Sequence, residues 1–183
     1  MATKFIIHGG FAGHVNDQND AFFKEILQDT SDNPKVLLVY FAKELDRIPV
    51  NKEEDLVQFG RNKGSKSISL QVADEGSFVE QVKNADVIYL HGGNTLKLIE
   101  TLKKFPRLRE LVDGKVVAGE SAGAYALSTL FYSKRASGDQ ASEGLGFVPV
   151  QTICHYSGEN AEKLPENPKL ETLLLPDYQY RVF

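Results

Sequence analysis

Short apolar bursts alternate along the chain with amphipathic stretches, and the period of the pattern switches each time. Lys4-Phe5-Ile6-Ile7 reads as a strand, and Asn19 to Leu27 as a helix with Phe22, Phe23, Ile26 and Leu27 on one side. Asn33-Pro34 introduces a second strand, Val36 to Phe41, and a polar helix follows over Lys52 to Asn62. Ser67 to Val72 is a third strand, Glu75 to Val82 a short helix and Asp86 to Leu90 a fourth strand. Leu98, Ile99 and Leu102 give Thr95 to Lys103 a helical period, which Pro106 ends. Lys115 to Ala118 is a fifth strand, with a helix starting near Ser121. This alternation predicts a three-layer α/β fold, a mostly parallel sheet with helices on both faces, whose sites lie at the carboxyl ends of its strands.

Beyond that helix the pattern breaks. Ser137-Gly138-Asp139 and Gly144-Leu145-Gly146 read as turns, Val148 to Cys154 as a strand, and Ser157 to Pro168 as a polar surface excursion. Leu173-Leu174-Leu175 and Tyr178 to Phe183 read as two short terminal strands around Pro176-Asp177. No repeat or linker interrupts residues 1–183, and 183 residues at 42% hydrophobic suffice for one domain with a full core.

Charge and cysteine content narrow the function classes. A net charge of -4, with 21 basic and 25 acidic residues intermixed, argues against a nucleic-acid surface. Lys103-Lys104 and Lys134-Arg135 read as solvated helix ends. The lone Cys154 forms no disulfide within the chain, and no leader pattern opens the sequence, so a cytoplasmic location is expected. The strongest apolar run, Val36 to Ala42, is far short of the ~20 residues needed to span a membrane. No membrane association is expected.

The chemistry concentrates at Gly119-Glu120-Ser121-Ala122-Gly123. A strand entering a Gly-x-Ser-x-Gly turn before a small-residue helix is how several hydrolase folds hold a serine hydroxyl clear of a sheet, so Ser121 is a candidate nucleophile. By type and position Ser121 could equally be an ordinary helix N-cap. A serine needs a base and donors for the oxyanion. His155 ends the strand that follows, and Asp177 comes after it as an acid, with Glu159 and Glu171 as alternatives. His91-Gly92-Gly93-Asn94-Thr95 leaves backbone N–H groups near the start of a helix, where Gly93 and Ala122 would form a two-donor oxyanion hole. His8-Gly9-Gly10 is a similar turn, placed at the pocket rim rather than in the chemistry.

With these residues assembled, the chain resembles over most of its length the serine peptidase family of aspartyl dipeptidase (dipeptidase E) and cyanophycinase. That family has the class I glutamine amidotransferase-like fold. The resemblance rests on Gly92-Gly93-Asn94-Thr95, Gly119 to Ala124, His155-Tyr156 and Leu175-Pro176-Asp177, in that order. It implies Ser121 as nucleophile, His155 as base, Asp177 as acid and Gly93 and Ala122 as oxyanion donors, in agreement with the residue reading. It further implies a dipeptidase-like serine peptidase for short peptides, Asp-X among them, with no cofactor and no metal, as a monomer or homodimer. Aspartyl specificity would need a cation, and Arg135 is the candidate, with Asn94 as a further substrate contact and Lys134 and His14 behind them. The chain departs from dipeptidase E at His91, where that enzyme has glycine, and in a shorter stretch between His155 and Asp177.

Other classes make different demands. An α/β-hydrolase esterase would use His8-Gly9-Gly10 as its oxyanion loop and Asp139 or Glu143 as acid, with more sheet after the nucleophile. A glutamine amidotransferase would have cysteine where Ser121 stands. A ligand-binding member of the same fold would keep the turn without turnover.

Overall fold

A computed structural model describes residues 2–183. The first half runs β1 (Lys4–His8), α1 (Asp17–Gln28), β2 (Lys35–Val39), α2 (Ile48–Asn62), β3 (Ser69–Val72), α3 (Phe78–Asn84), β4 (Val87–Leu90) and α4 (Thr95–Lys103). The rest runs α5 (Leu108–Leu111), β5 (Val116–Glu120), α6 (Ala122–Leu127), β6 (Ser128–Phe131), β7 (Ser142–Glu143), β8 (Val148–Cys154), β9 (Glu171–Leu175) and β10 (Tyr180–Val182). Among the described residues no helix is long and apolar enough to cross a membrane.

The strands form two sheets. In the six-stranded sheet, ordered β10-β1-β5-β4-β2-β3, all strands are parallel except the edge strand β10. The second sheet, β7-β6-β8-β9, has β6, β8 and β9 parallel and β7 antiparallel. Alternate residues of the main strands point to opposite faces. Ile6, Leu38, Tyr89 and Ala118 pack with Phe22, Phe23 and Ile26 of α1 and Phe59 of α2. Ile7, Leu37, Ile88 and Val117 pack instead with α3, α4 and α6 and with Phe131, Val150 and Leu173 of the second sheet. The main sheet therefore has helices on both faces, as the alternation predicts.

Local chemistry sets several boundaries. The Asn16 side chain accepts the Asn19 N–H at 2.9 Å and starts α1, and Asn94 accepts the Lys97 N–H at 3.1 Å to start α4. α2 begins at Ile48, earlier than the expected Lys52, with Pro49 in its first turn where a missing N–H costs nothing. The structure corrects one expectation and adds elements to the pattern. The helix after Ser121 stops at Leu127, because Ser128–Phe131 pairs with β8 as a strand. Lys134 and Arg135 consequently lie in a turn after β6 and not at a helix end. The short α5 is another added element, with no periodic signal in the sequence.

Phe59 is wholly buried, with its ring 4.9 Å from Phe23 and 5.7 Å from Tyr89. Phe59→Ala should cost about 3–5 kcal/mol of stability, read from urea unfolding midpoints. A loss below about 1 kcal/mol would show that this face collapses around the gap.

Candidate active site

β1, β5 and β4 are adjacent in the main sheet, so the loops leaving their carboxyl ends converge. At the middle one, β5 ends at Glu120 and Ser121 takes φ 49 and ψ -104 before α6 begins. This is a strained turn for a residue with a side chain. The flanking glycines are required by packing: a Cβ on Gly119 would lie 2.5 Å from the Gly123 carbonyl carbon, and one on Gly123 2.1 Å from the Leu90 carbonyl oxygen. The Ser121 N–H donates to the His8 carbonyl at 3.0 Å. Its side chain makes no capping bond, which disposes of the N-cap alternative. Ser121 Oγ instead lies 3.0 Å from His155 Nε2.

His155 does not come from the main sheet; it follows β8 of the second sheet. The Tyr125 hydroxyl, on α6, accepts the Cys154 N–H at 3.0 Å, which ties that strand end to the turn carrying Ser121. The His155 N–H then donates to the Gly9 carbonyl at 3.0 Å. His155 Nδ1 lies 2.6 Å from Asp177 Oδ1, in the turn between β9 and β10. Glu159 pairs instead with Lys134 at 3.1 Å and Glu171 with Arg181 at 3.0 Å, so neither alternative acid is engaged with the imidazole. Burial pushes the Cys154 thiol well above its ordinary pKa, leaving it an unreactive neighbour.

The N–H groups around the serine turn divide into paired and unpaired ones. The Gly92 N–H is taken by Glu120 Oε1 at 2.9 Å and the Asn94 N–H by the Ala42 carbonyl at 2.8 Å. Among the described residues the N–H groups of Gly93 and Ala122 have no acceptor. Gly93 has φ 146 and would place a Cβ 2.5 Å from the Ala42 oxygen, so only glycine fits. Gly93, Asn94, Ser121, Arg135, His155 and Asp177 all line one cavity of about 830 Å³. Arg135 is exposed there and makes no ion pair among the described residues, whereas the Asn94 side chain is engaged in capping α4.

Residues 5–174 match the sequence profile of peptidase family S51. The chain belongs to peptidase family S51. It is 29% identical, over 137 residues, to an uncharacterized peptidase of Listeria monocytogenes, a stretch covering 63% of this chain and 67% of that relative. The crystal structure of a peptidase from an acI-B1 Actinobacterium superposes with a TM-score of 0.76 at 25% identity, covering all of this chain and 84% of that one. A putative peptidase E protein from Listeria monocytogenes shares the fold with a TM-score of 0.59 at 21% identity, over 85% of this chain and 80% of that one.

Beneath the S51 serine turn lies a buried polar cluster. Glu120 Oε1 meets both the Gly92 N–H and His91 Nδ1, the latter at 3.0 Å, and Oε2 accepts the Ala12 N–H at 3.3 Å. One carboxylate thus ties together the loops after β1, β4 and β5. Burial alone would raise its pKa; His91, the Gly92 N–H, His8 and the Ala12 N–H outweigh that and hold it below the ordinary value. Asp55, wholly buried on α2, accepts from Tyr40 Oη at 2.6 Å and lies 3.7 Å from His91 Nε2. A signal for this cluster existed in the sequence. Asn51, Asp55, Gln58 and Asn62 recur at helical spacing, a polar stripe that proves to be the buried face of α2.

Burial is the main cause that raises the Asp55 pKa from 3.8 to about 7, against the pull of His91 and the Tyr40 hydrogen bond, and with Glu120 and Glu54 adding to it. A carboxyl that binds its proton more tightly when folded makes stability fall as pH rises from about 4 to about 7, and the loss persists above that range. Asp55→Asn should therefore unfold at a higher urea concentration than wild type at about pH 8, with the gain shrinking towards about pH 4. A difference independent of pH would show that Asp55 titrates normally.

Proposed function

We propose that this S51 peptidase hydrolyses short peptides through an acyl-enzyme on Ser121, with His155 as base and Asp177 as its partner. The observation that carries the reading is the unbroken run from Ser121 Oγ to His155 Nε2 at 3.0 Å and from His155 Nδ1 to Asp177 at 2.6 Å. Asp177 keeps the Nδ1 proton in place, so that Nε2 faces the hydroxyl as an acceptor. As Oγ bonds to the scissile carbonyl carbon, its proton passes to Nε2 and the carbonyl electron pair moves onto oxygen. The Gly93 and Ala122 N–H groups meet that oxyanion, and each such donor is worth about 10²–10³ in rate. The C–N bond then breaks, the amine leaving with the proton from Nε2. Water repeats the sequence, giving its proton to His155 as it attacks the ester and returning Oγ–H to Ser121.

The bound peptide is read by the same cavity. Its size suits a dipeptide better than a folded protein, whose scissile carbonyl could not reach Gly93 and Ala122. Arg135, exposed in the cavity wall, supplies the cation for an acidic amino-terminal residue, with Asn94 beside the oxyanion loop as a further contact.

Ser121→Ala should lose at least about a thousandfold in kcat while staying folded, and wild-type turnover in that variant would sink the proposal. A dipeptide panel of Asp-X, Glu-X and neutral pairs, assayed with and without a chelator, reads the substrate. Asp-X should lead, and Arg135→Ala should lower its kcat/KM about tenfold or more. Equal cleavage of neutral dipeptides would remove the acidic specificity alone, and loss of activity with chelator would remove the metal-free mechanism.

A further inference from the structure

Phe11 is 48% exposed in the wall of the cavity, with its ring centroid 5.0 Å from that of His155 at an interplanar angle of 67°. A lone exposed hydrophobic residue needs no explanation by itself, and Val15, Leu45 and Val50 are exposed in the same way. Phe11 differs because a large share of the surrounding structure holds it there. Its backbone is left-handed, with φ 57, which a side-chain-bearing residue keeps only when its neighbours impose it.

The restraints on its loop can be named. Asn19 Nδ2 donates to the carbonyls of Phe11 at 2.8 Å and His14 at 2.6 Å, and Gln58 Nε2 to those of Ala12 and His14 at 2.8 Å each. Glu120 takes the Ala12 N–H. Asn19 is itself fixed by His8, whose Nδ1 accepts the Gly10 N–H, so that Nε2 carries the proton donated to Asn19 Oδ1 at 3.0 Å. The His14 ring stacks on Phe11 with centroids 5.1 Å apart and planes 7° from parallel. These groups fix the loop's backbone, and the His14 ring backs the Phe11 ring where it stands beside His155.

The reaction determines what passes that wall. The departing amine must come within hydrogen-bond reach of His155 Nε2 to take its proton, so the residue that carries the amine lies beside the imidazole. We propose that Phe11 forms the subsite for the side chain of this leaving residue, and that the subsite selects apolar, above all aromatic, side chains. The inference rests on the serine peptidase reading of the same site. A preorganised aromatic face binds such a side chain without first having to be ordered, and a polar or absent side chain forgoes the contact.

The test compares kcat/KM for Asp-Gly, Asp-Leu and Asp-Phe, and for the matching Ala-X series, in wild type, Phe11→Ala and Phe11→Leu, with folding checked by circular dichroism. Wild type should prefer Phe and Leu over Gly by about tenfold, Phe11→Ala should bring that ratio close to one, and Phe11→Leu should keep most of it for Leu. A wild-type ratio near one, or a ratio unchanged in Phe11→Ala, overturns the proposal. So does an equal loss on every substrate, which would mean that Phe11 only steadies His155. If wild type cleaves no dipeptide, the peptidase reading fails separately, and calorimetric binding of Asp-Phe and Asp-Gly to Ser121→Ala decides the subsite. Tighter binding of Asp-Phe that disappears on adding Phe11→Ala supports it; equal binding, or none, overturns it.

Discussion

A Cβ on Gly9 would lie 2.0 Å from the Pro176 carbonyl oxygen, and one on Gly10 2.1 Å from His155 Cε1. The bare backbone at these two positions is the constraint on which the site depends, because it lets the second sheet and the terminal turn close onto the edge of the first. The peptide groups exposed by the approach are then all used. Gly9 accepts from His155 and donates to Gln179, and Gly10 accepts from Tyr178. His155 and the turn carrying Asp177 therefore meet one short loop, His155 through its own N–H and the turn through the main-chain groups of Tyr178 and Gln179, bonds that do not depend on side-chain rotamers.

Backbone strain is gathered at the same place. Among the described residues, the non-glycine residues with positive φ are Phe11, Ser121, His155, Asn160 and Tyr178. Four of them line the cavity and the fifth follows Asp177. Each such conformation costs on the order of 1–3 kcal/mol and survives only where surrounding contacts over-determine it. For Phe11, His155 and Tyr178 those contacts are identifiable: main-chain bonds to Gly9 and Gly10, the side chains of Asn19 and Gln58 on the loop after β1, and the Glu120 carboxylate, which holds three loops at once. Burying that carboxylate is unfavourable in itself, and it is tolerated because two N–H groups and His91 meet its oxygens.

Membership of peptidase family S51 and the geometry are mutually consistent. The family match runs from β1 into β9, including the strand that leads to His155 and most of the strand before Asp177, and stops short of Asp177 and β10. His91, a departure from dipeptidase E noted in the sequence, acquires a physical role as the partner of Glu120 and neighbour of Asp55. A glycine there would leave the Glu120 carboxylate without its imidazole partner, so this substitution and the buried polar stripe of α2 form one unit.

The sequence by itself determined the parallel sheet, the strand and turn that carry Ser121, and the glycines around them, because these follow from the period of apolar residues within one segment and from local steric demands. It also named His155, Asp177, Gly93 and Ala122 as candidates, since their types and order are visible without coordinates. Only the tertiary structure decided that His155 arrives from a separate sheet, that Ser128–Phe131 leaves the helix to pair with β8, and that Asp177 rather than Glu159 or Glu171 meets the imidazole. Those outcomes rest on which distant segments share space and hydrogen bonds. A strand is fixed by its partner, and an acid by the cation already beside it, and neither leaves a trace in the spacing of residues along one stretch of chain.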